Sequence, residues 1–198
     1  MHYTSYQNIK DTDLWKLVLK GDMKAVSLLY REHYELLLNF GLKYIQDEDF
    51  VKDCIQDVFV KLCTSKRLSS TDYVRSYLLT ALKNTISDRL SSLKIAEDLD
   101  EHFFELRIED SALEALFKDN DEALQMSRKL ISAYKALPEN QRMAIWLRYV
   151  KGLSYKEMAA VLNIKPQSTM NLVSRALANL RSRMTLEEYL LLFILLFS

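Results

Sequence analysis

The sequence predicts an all-α protein of two helical domains joined by an acidic linker, and three observations support this prediction. The 198 residues include only three glycines and two prolines, which leaves little material for the turns of a many-stranded fold. Apolar residues recur at three- and four-residue spacing in both halves of the chain, as on amphipathic helices. Hydrophobic residues make up 49% and charged residues 27% of the chain, a balance typical of one or two globular domains.

The amino-terminal part, up to about Lys94, is predicted to be a helical module. The segment LWKLVLKGDMKAVSLLYREHYELLLNFGLKYI has helical periodicity, and Gly21 with Asp22 marks a break between two helices. The next segment, DEDFVKDCIQDVFVKLC, is predicted to bury one face at four-residue steps: Phe50, Cys54, Val58 and Leu62. Other side chains fall away from that face and offer carboxylates and an amide to solvent or to a basic partner: Asp53, Gln56, Asp57 and Val60.

Charge is distributed unevenly in a chain whose formal net charge is zero. Residues 95–122 contain eleven acidic and two basic residues, whereas residues 126–184 contain eleven basic and two acidic residues. A basic helical module behind an acidic segment is typical of a nucleic-acid-binding domain tied to a region that avoids or mimics nucleic acid. A solvated linker without a partner is the alternative interpretation of the acidic segment.

The carboxy-terminal module is predicted to contain two helices joined by a tight turn. Ser154 and Glu157 have the spacing of a capping box at the start of the first helix. Asn163 tolerates a left-handed turn, and Pro166 suits the first turn of the second helix. In that second helix, the predicted inward side chains are Thr169, Val173, Ala176, Leu177, Leu180 and Met184, and the predicted outward ones are Gln167, Ser168, Asn171, Ser174 and Arg175.

A second helix that exposes amides, hydroxyls and an arginine fits a helix-turn-helix motif, whose recognition helix enters the DNA major groove. Arginine can bind guanine with two hydrogen bonds, and asparagine or glutamine can bind adenine in the same way. An ordinary helical hairpin with a solvated polar face is the alternative.

The remaining features of the chain favour neither an enzyme nor a metal protein. Cys54 and Cys63 lie nine residues apart without a nearby histidine cluster, which indicates neither a disulfide framework nor a zinc site. None of His2, His33 and His102 belongs to a nucleophile or metal-binding pattern, so we expect no cofactor and no catalysis.

The two ends of the chain bear on where the protein acts. The amino terminus lacks the basic and then apolar pattern of a secretion signal, and we expect a cytoplasmic protein. The nine-residue apolar run from Tyr189 to Phe197 is well short of the roughly 20 residues that span a bilayer as a helix. We expect it to be a docking segment, with association with a membrane surface as the alternative.

Over almost its whole length, the chain resembles an extracytoplasmic-function (ECF) sigma factor, the small two-domain type of bacterial transcription initiation factor. KGDMKAVSLLYREHY, DFVKDCIQDVFVKLC and YVRSYLLTALKNTISDRL are similar to region 2 of that family, in its order and spacing. LPENQRMAIWLRYVKGLSYKEMAAVLNI and the helix after it are similar to region 4, and NIKPQSTMNLVSRAL looks most like versions from Bacteroidota. The implied division is region 2 at 1–94, an acidic linker at 95–125, region 4 at 126–184 and an apolar tail at 185–198.

The resemblance implies a factor that binds core RNA polymerase and directs it to promoters by reading their minus-35 and minus-10 elements. The implied partners are the clamp helices and flap of core RNA polymerase, promoter DNA and an anti-sigma factor. Two alternatives from other classes remain: a stand-alone helix-turn-helix repressor that binds duplex DNA as a dimer, and a sigma mimic that sequesters an anti-sigma factor.

The resemblance also implies roles for individual residues. Those that match the polymerase-binding helix are Asp53, Gln56, Asp57 and Phe59, with a core position as the alternative for Phe59. Those that match the minus-10 surface are Lys66, Arg67, Tyr73, Lys83, Asn84 and Asp88, with bracing of the helix as the alternative for Asp88. Those that match the minus-35 surface are Lys165, Gln167, Ser168, Asn171, Ser174 and Arg175.

Two positions depart from the pattern of the family. Met170 stands where many relatives carry a basic residue, so one expected phosphate or base contact is absent. Tyr77 stands in a slot that is often aromatic, and brings a polar tip to it.

Overall fold

A computed structural model of the protein describes residues 9–65, 68–92 and 132–185, together with Lys129 and Glu188. The chain forms two compact units, Met1–Glu101 and His102–Ser198. All the regular elements within the described residues are helices, and the predicted fold class of two helical domains is confirmed. The predicted acidic linker at 95–125 lies outside the described residues.

The described part of the first unit contains four helices. They are α1 (Asp11–Val18), α2 (Met23–Gly41), α3 (Glu48–Thr64) and α4 (Val74–Ser92). Helix α2 packs against the other three, and α3 and α4 also pack against each other. The core between them is apolar, and its largest fully buried side chains include Trp15, Leu37, Phe40, Ile55 and Leu82.

Acidic caps fix where α2 and α3 begin. The carboxylate of Asp22 accepts hydrogen bonds from the backbone N–H groups of Lys24 (2.8 Å) and Ala25 (3.2 Å). Gly21, with φ of 83°, makes the turn before it, as the Gly-Asp pair predicted. The carboxylate of Asp47 accepts from the N–H of Phe50 at 3.0 Å. Each cap satisfies backbone donors that a helix start leaves without a partner.

Two contacts set how closely α2 approaches its neighbours. A Cβ atom at Gly41 would collide with Cγ1 of Val51, so this glycine lets α3 lie against α2. On the α1 side, Nε2 of the buried His33 lies 3.1 Å from Oδ2 of Asp11. Glu32 brings a third possible metal-ligand atom within 4.8 Å of those two, but the Asp11–His33 pair already accounts for the site as a contact between α1 and α2.

The described part of the second unit is helical as well. A helical turn at 132–135 is followed by α5 (Glu139–Ile145), a π-helical turn (Trp146–Val150), α6 (Tyr155–Leu162) and α7 (Pro166–Arg181). Helix α7 packs against both α5 and α6, and Nδ2 of Asn179 donates to Oε1 of Gln141 at 2.8 Å. The hydroxyl of Tyr134 donates to the backbone carbonyl of Arg142 at 3.0 Å, and burial raises the pKa of Tyr134.

The turn between α6 and α7 has the geometry that the sequence predicted. The hydroxyl of Ser154 accepts from the N–H of Glu157 at 3.3 Å, and the carboxylate of Glu157 accepts from the N–H of Ser154 at 2.8 Å. Asn163 ends α6 in the left-handed region, with φ of 55°. Pro166 occupies the first turn of α7. These local features fix the angle at which α7 leaves α6.

A second reciprocal cap, which our sequence analysis missed, follows α7. The N–H of Thr185 donates to Oε2 of Glu188 at 2.8 Å, and the N–H of Glu188 donates to the Thr185 hydroxyl at 3.3 Å. Nζ of Lys129 donates to Oε1 of the same glutamate at 3.0 Å. The sequence TLEE carries the signal for this cap.

The apolar run at 189–198 lies outside the described residues, and none of the described helices is long and apolar enough to cross a membrane.

Candidate nucleic-acid and protein interfaces

The solvent face of α3 carries the polar side chains that the sequence assigned to it. Asp53 and Gln56 are exposed, Asp57 is half-buried, and Val60 is 50% exposed. We call this set of four residues the α3 surface. It presents two carboxylates, an amide and one apolar side chain along about two turns of one helix.

Arg89 on α4 binds both carboxylates of the α3 surface. Its Nη2 lies 2.6 Å from Oδ2 of Asp57, and its Nε donates to the same oxygen at 2.9 Å. Its Nη1 lies 3.6 Å from Oδ2 of Asp53, and the guanidinium carbon lies 5.9 Å from the centroid of the Phe50 ring. The role of Arg89 could not be predicted from the sequence, because a contact across 32 residues has no local signal. The negative charge of the α3 surface is therefore partly neutralised by the protein itself.

Phe59 does not belong to the α3 surface in this structure. Its side chain is only 6% exposed, and its ring meets that of Tyr30 edge-on with centroids 5.0 Å apart. The physical reason is that α3 packs against both α2 and α4, so its buried face is wider than a single four-residue stripe and also includes Val51 and Ile55. The burial of Phe59 agrees with the core position that the sequence left open as the alternative for this residue. Tyr30, which is 37% exposed, presents an aromatic ring at this edge of the unit, with the ring of Tyr34 5.4 Å away.

The solvent face of α4 carries Asn84 and Asp88, one turn apart and both exposed. Thr85 and Ile86 beside them are buried and fix the rotation of the helix. Lys83 is half-buried, and desolvation lowers its pKa. We call Lys83, Asn84 and Asp88 the α4 surface. It joins an exposed amide and an exposed carboxylate to a half-buried ammonium group on one stretch of α4.

The segment before α4 carries the remaining residues predicted to meet the minus-10 element. Tyr73 is 43% exposed immediately before the helix begins, and its N–H donates to the hydroxyl of Thr71 at 3.0 Å. Lys66 and Arg67 lie outside the described residues.

Trp15 of α1 holds this segment against the unit, a role that sequence analysis missed. Its indole Nε1 donates to the backbone carbonyl of Ser69 at 3.0 Å, and its ring lies 4.7 Å from that of Tyr77. The polar tip expected at Tyr77 therefore belongs to a half-buried ring that packs on Trp15, and burial raises the pKa of this tyrosine. The position of Tyr73 depends on a segment anchored from α1.

Helix α7 has an apolar inner face and a polar outer face. Thr169, Val173, Ala176 and Leu180 are buried as predicted, and the buried Leu172 adds to the inner face. The residues predicted to meet the minus-35 element are all exposed, and we call them the α7 surface: Lys165, Gln167, Ser168, Asn171, Ser174 and Arg175.

Hydrogen bonds preorganise part of the α7 surface. Nε2 of Gln167 donates to Oδ1 of Asn171 at 3.3 Å, and Nε of Arg175 donates to the backbone carbonyl of Asn171 at 3.3 Å. The three side chains thus lie over two successive turns of the same helix face. An arginine held through Nε can still direct its terminal amino groups at a base or a phosphate.

Comparisons with known proteins assign both units. The family model for Sigma-70 region 2 matches residues 29–94, and the model for Sigma-70, region 4 matches residues 127–180. The ECF RNA polymerase sigma-E factor of Escherichia coli (strain K12) is 29% identical over 180 residues, covering 86% of this chain and 92% of the relative. The ECF RNA polymerase sigma factor SigM of Bacillus subtilis (strain 168) is 23% identical over 162 residues, covering 80% and 94%.

A solved structure has a similar fold. The structure of CnrH in complex with the cytosolic domain of CnrY superimposes with a TM-score of 0.55 at 21% identity, over 87% of this chain and 95% of that one. With both sigma-70 regions matched in order across more than half of its length, the chain belongs to the sigma-70 family of transcription initiation factors. Its curated relatives place it among the ECF RNA polymerase sigma factors. Neither the stand-alone repressor nor the sigma mimic is favoured.

Proposed function

We propose that the three surfaces divide the work of transcription initiation. The α3 surface binds core RNA polymerase, the α4 surface with Tyr73 handles the minus-10 element, and the α7 surface reads the minus-35 element. The observation that carries this proposal is the α7 surface, where every side chain predicted to meet the minus-35 element is exposed, on or directly before a helix whose opposite face is buried.

The α7 surface has the chemistry for major-groove recognition. Arg175 suits guanine, which offers two acceptors, and the amides of Gln167 and Asn171 suit adenine, which offers a donor and an acceptor. Lys165 precedes the helix at its N-terminal end, where a backbone phosphate is favourably placed. We infer that Arg175 and Asn171 discriminate bases, whereas Lys165 contributes a contact that does not depend on sequence.

The α4 surface suits single-stranded DNA. Promoter opening requires a base to leave the stack and to be held by hydrogen bonds and aromatic contacts. Asn84 supplies an exposed amide that can donate and accept, and Tyr73 supplies an exposed ring on the neighbouring segment. We assign the base pocket to Asn84 and expect Asp88 to brace the surface, because a carboxylate facing DNA is repelled unless it accepts from a cytosine amine.

The α3 surface suits a partner helix that carries arginine. Its carboxylates accept charge-assisted hydrogen bonds, for which arginine is the strongest donor. The protein already uses this chemistry once, between Arg89 and Asp57. We assign the α3 surface to the clamp helices of RNA polymerase, and the second unit to the flap.

Three further assignments rest on the family resemblance. The proposed division of the chain is region 2 at 1–94, linker at 95–125, region 4 at 126–184 and tail at 185–198. We propose cytoplasmic action and a protein antagonist of the anti-sigma type, and CnrH, the similar structure, is itself bound to a cytosolic domain of another protein.

Transcription by reconstituted holoenzyme tests the proposal. The templates form a promoter library randomised across the minus-35 element, transcribed with wild-type protein, Arg175→Ala, Asn171→Ala and Lys165→Ala. We expect Arg175→Ala to cost about 1 to 3 kcal/mol on the preferred sequence and to relax the preference at one position. Lys165→Ala should weaken all sequences alike and flatten the salt dependence by about one charge.

The matched control for Arg175→Ala is Arg181→Ala. It also removes an arginine side chain, but from the exposed last turn of α7, away from the helix start. It should leave base preference unchanged. Uniform loss in Arg175→Ala and Asn171→Ala, with no positional change in preference, would mean that α7 positions the protein without reading sequence.

A further inference from the structure

We propose that Met170 reads the 5-methyl group of one thymine in the minus-35 element. The inference rests on the proposed function, because it assigns a base contact to one more residue of α7. Met170 is 44% exposed, although it carries one of the large apolar side chains that folding normally buries.

The position of Met170 on the helix places it among the DNA-facing residues. It lies three residues after Gln167 and four before Ser174, so the three side chains form a row on the outer face. Its neighbours Thr169, Leu172 and Val173 are buried, which fixes the rotation of α7 and keeps the thioether on the outer side. It also lies in the first half of α7, the part of a recognition helix that meets base edges.

The chemistry of the side chain selects its target. A thioether carries no charge and no hydrogen-bond donor, and its sulfur is only a weak acceptor, so it gains little from a phosphate or from the polar edges of guanine, adenine and cytosine. The one apolar group that a base offers in the major groove is the 5-methyl of thymine. Methionine has three rotatable bonds and a polarizable sulfur, so its side chain can adapt its conformation to make van der Waals contact with that methyl group.

An apolar contact from Met170 would add a kind of base discrimination that its polar neighbours do not provide. Gln167 and Asn171 are hydrogen-bonded to each other, and Arg175 donates to the backbone of Asn171. These side chains distinguish bases by hydrogen bonds, which do not contact the 5-methyl group that thymine carries and cytosine lacks. Met170 adds that distinction at the edge of the same surface.

The test removes the methyl group and nothing else. Holoenzyme is assembled from full-length protein and core polymerase, and the preferred minus-35 sequence is selected from the randomised library. Each thymine of that sequence, on either strand, is then replaced singly by deoxyuridine, which keeps all hydrogen-bonding groups. Competition binding and transcription are measured for wild type, Met170→Ala, Met170→Leu and Met170→Lys.

We expect one thymine at which wild type loses roughly fourfold in binding, the effect of about one buried methyl-sized group. At that position Met170→Ala should be insensitive to the replacement, whereas Met170→Leu should retain at least half of the effect on a logarithmic scale. Met170→Lys should bind all sequences more tightly at low salt, steepen the salt dependence by about one charge and lose the methyl effect. Because residue 170 is exposed, thermal unfolding of the variants should match that of wild type.

Two results overturn the inference. Either no thymine is sensitive to loss of its methyl in wild type, or Met170→Ala keeps the full sensitivity. If base preference still depends on Asn171 and Arg175 in either case, the proposed function stands and the role of Met170 alone is wrong. If wild type has no base preference anywhere in the element, both fail.

Discussion

Nη2 of Arg89 lies 2.6 Å from Oδ2 of Asp57, and this ion pair joins α4 to α3. The two helices carry different assignments, since α3 presents the proposed polymerase-binding surface and α4 presents Asn84 and Asp88. A partner arginine that binds Asp57 must share it with Arg89 or displace it. Binding of a partner to the α3 surface therefore changes the contacts of Arg89, whose charge lies directly after Asp88 of the α4 surface in the sequence.

Neutralising the two carboxylates of the α3 surface should weaken assembly with core RNA polymerase. In Asp53→Asn/Asp57→Asn the partner loses two charged acceptors, and charge-assisted hydrogen bonds are about twice as strong as neutral ones. The matched control is Glu48→Gln/Asp49→Asn, which removes the same charge from the first turn of α3, where both carboxylates lie near Lys52. Affinity for core enzyme should fall at least tenfold in the first variant and change little in the second. Equal binding by both folded variants would exclude this surface.

Replacing Arg89 should slightly lower the stability of the protein without weakening its binding to core RNA polymerase. Asp57 and Arg89 side chains are 41% and 34% exposed, so solvent screens the pair and its coupling should be about 0.2 to 1 kcal/mol. A double-mutant cycle with Arg89→Gln and Asp57→Asn, followed by urea unfolding, measures that coupling. Because Arg89→Gln leaves the carboxylates available, it should bind core polymerase as tightly as wild type or more tightly. Weaker binding by this variant would mean that Arg89 itself contacts the polymerase.

Local parts of the fold could be predicted from the sequence because their causes lie within a few residues. The Ser154–Glu157 capping box, the left-handed Asn163 and the Gly21–Asp22 turn are of this kind. The outer face of α7 followed from helical periodicity in the same way. These signals need no knowledge of what the helix packs against.

The rest depends on contacts between distant parts of the chain. The resemblance assigns Phe59 to the polymerase-binding helix and leaves a core position as the alternative, and periodicity within α3 could not decide between them because the helix packs on two neighbours. Trp15 donates to Ser69 across 54 residues, and Arg89 binds Asp57 across 32. No pattern within one helix reports such pairs.

Substituting Gly41 should destabilise the first unit, although alanine usually stabilises a helix relative to glycine. The new Cβ would collide with Val51 on α3, with Leu82 on α4 only 3.5 Å away. Overpacking of this kind costs about 1 to 3 kcal/mol. Urea unfolding of Gly41→Ala should therefore give a lower free energy than wild type. Ser27→Ala, on the exposed side of the same helix, serves as control and should match or exceed wild type.

The two cysteines should react with thiol reagents at different rates, because one is buried and the other is exposed. Cys54 is buried in α3, and desolvation raises its pKa to about 11, so its thiolate is scarce at neutral pH. Cys63 is exposed on the last turn of the same helix. A disulfide reagent at pH 7 should modify one thiol per folded chain rapidly, and two after denaturation. Rapid reaction of the one remaining thiol in folded Cys63→Ser, or of both thiols in folded wild type, would contradict the packing of α3.

Acid should remove a stabilising contact between α1 and α2. The imidazole of His33, 3.1 Å away, holds the pKa of Asp11 below its ordinary value of 3.8; burial opposes this shift and the charge of Arg75 on α4 supports it. Because the folded state favours the ionised carboxylate, this contribution is fully present above pH 3.8 and is lost as the pH falls through the lower, folded pKa. Urea unfolding of wild type and Asp11→Asn at several pH values between 6 and 3 isolates the effect, since all other carboxylates are common to both. Wild type should be the more stable at pH 6, and the difference should shrink below pH 4. A difference that is constant over this range would mean that Asp11 acts through its shape rather than through its charge.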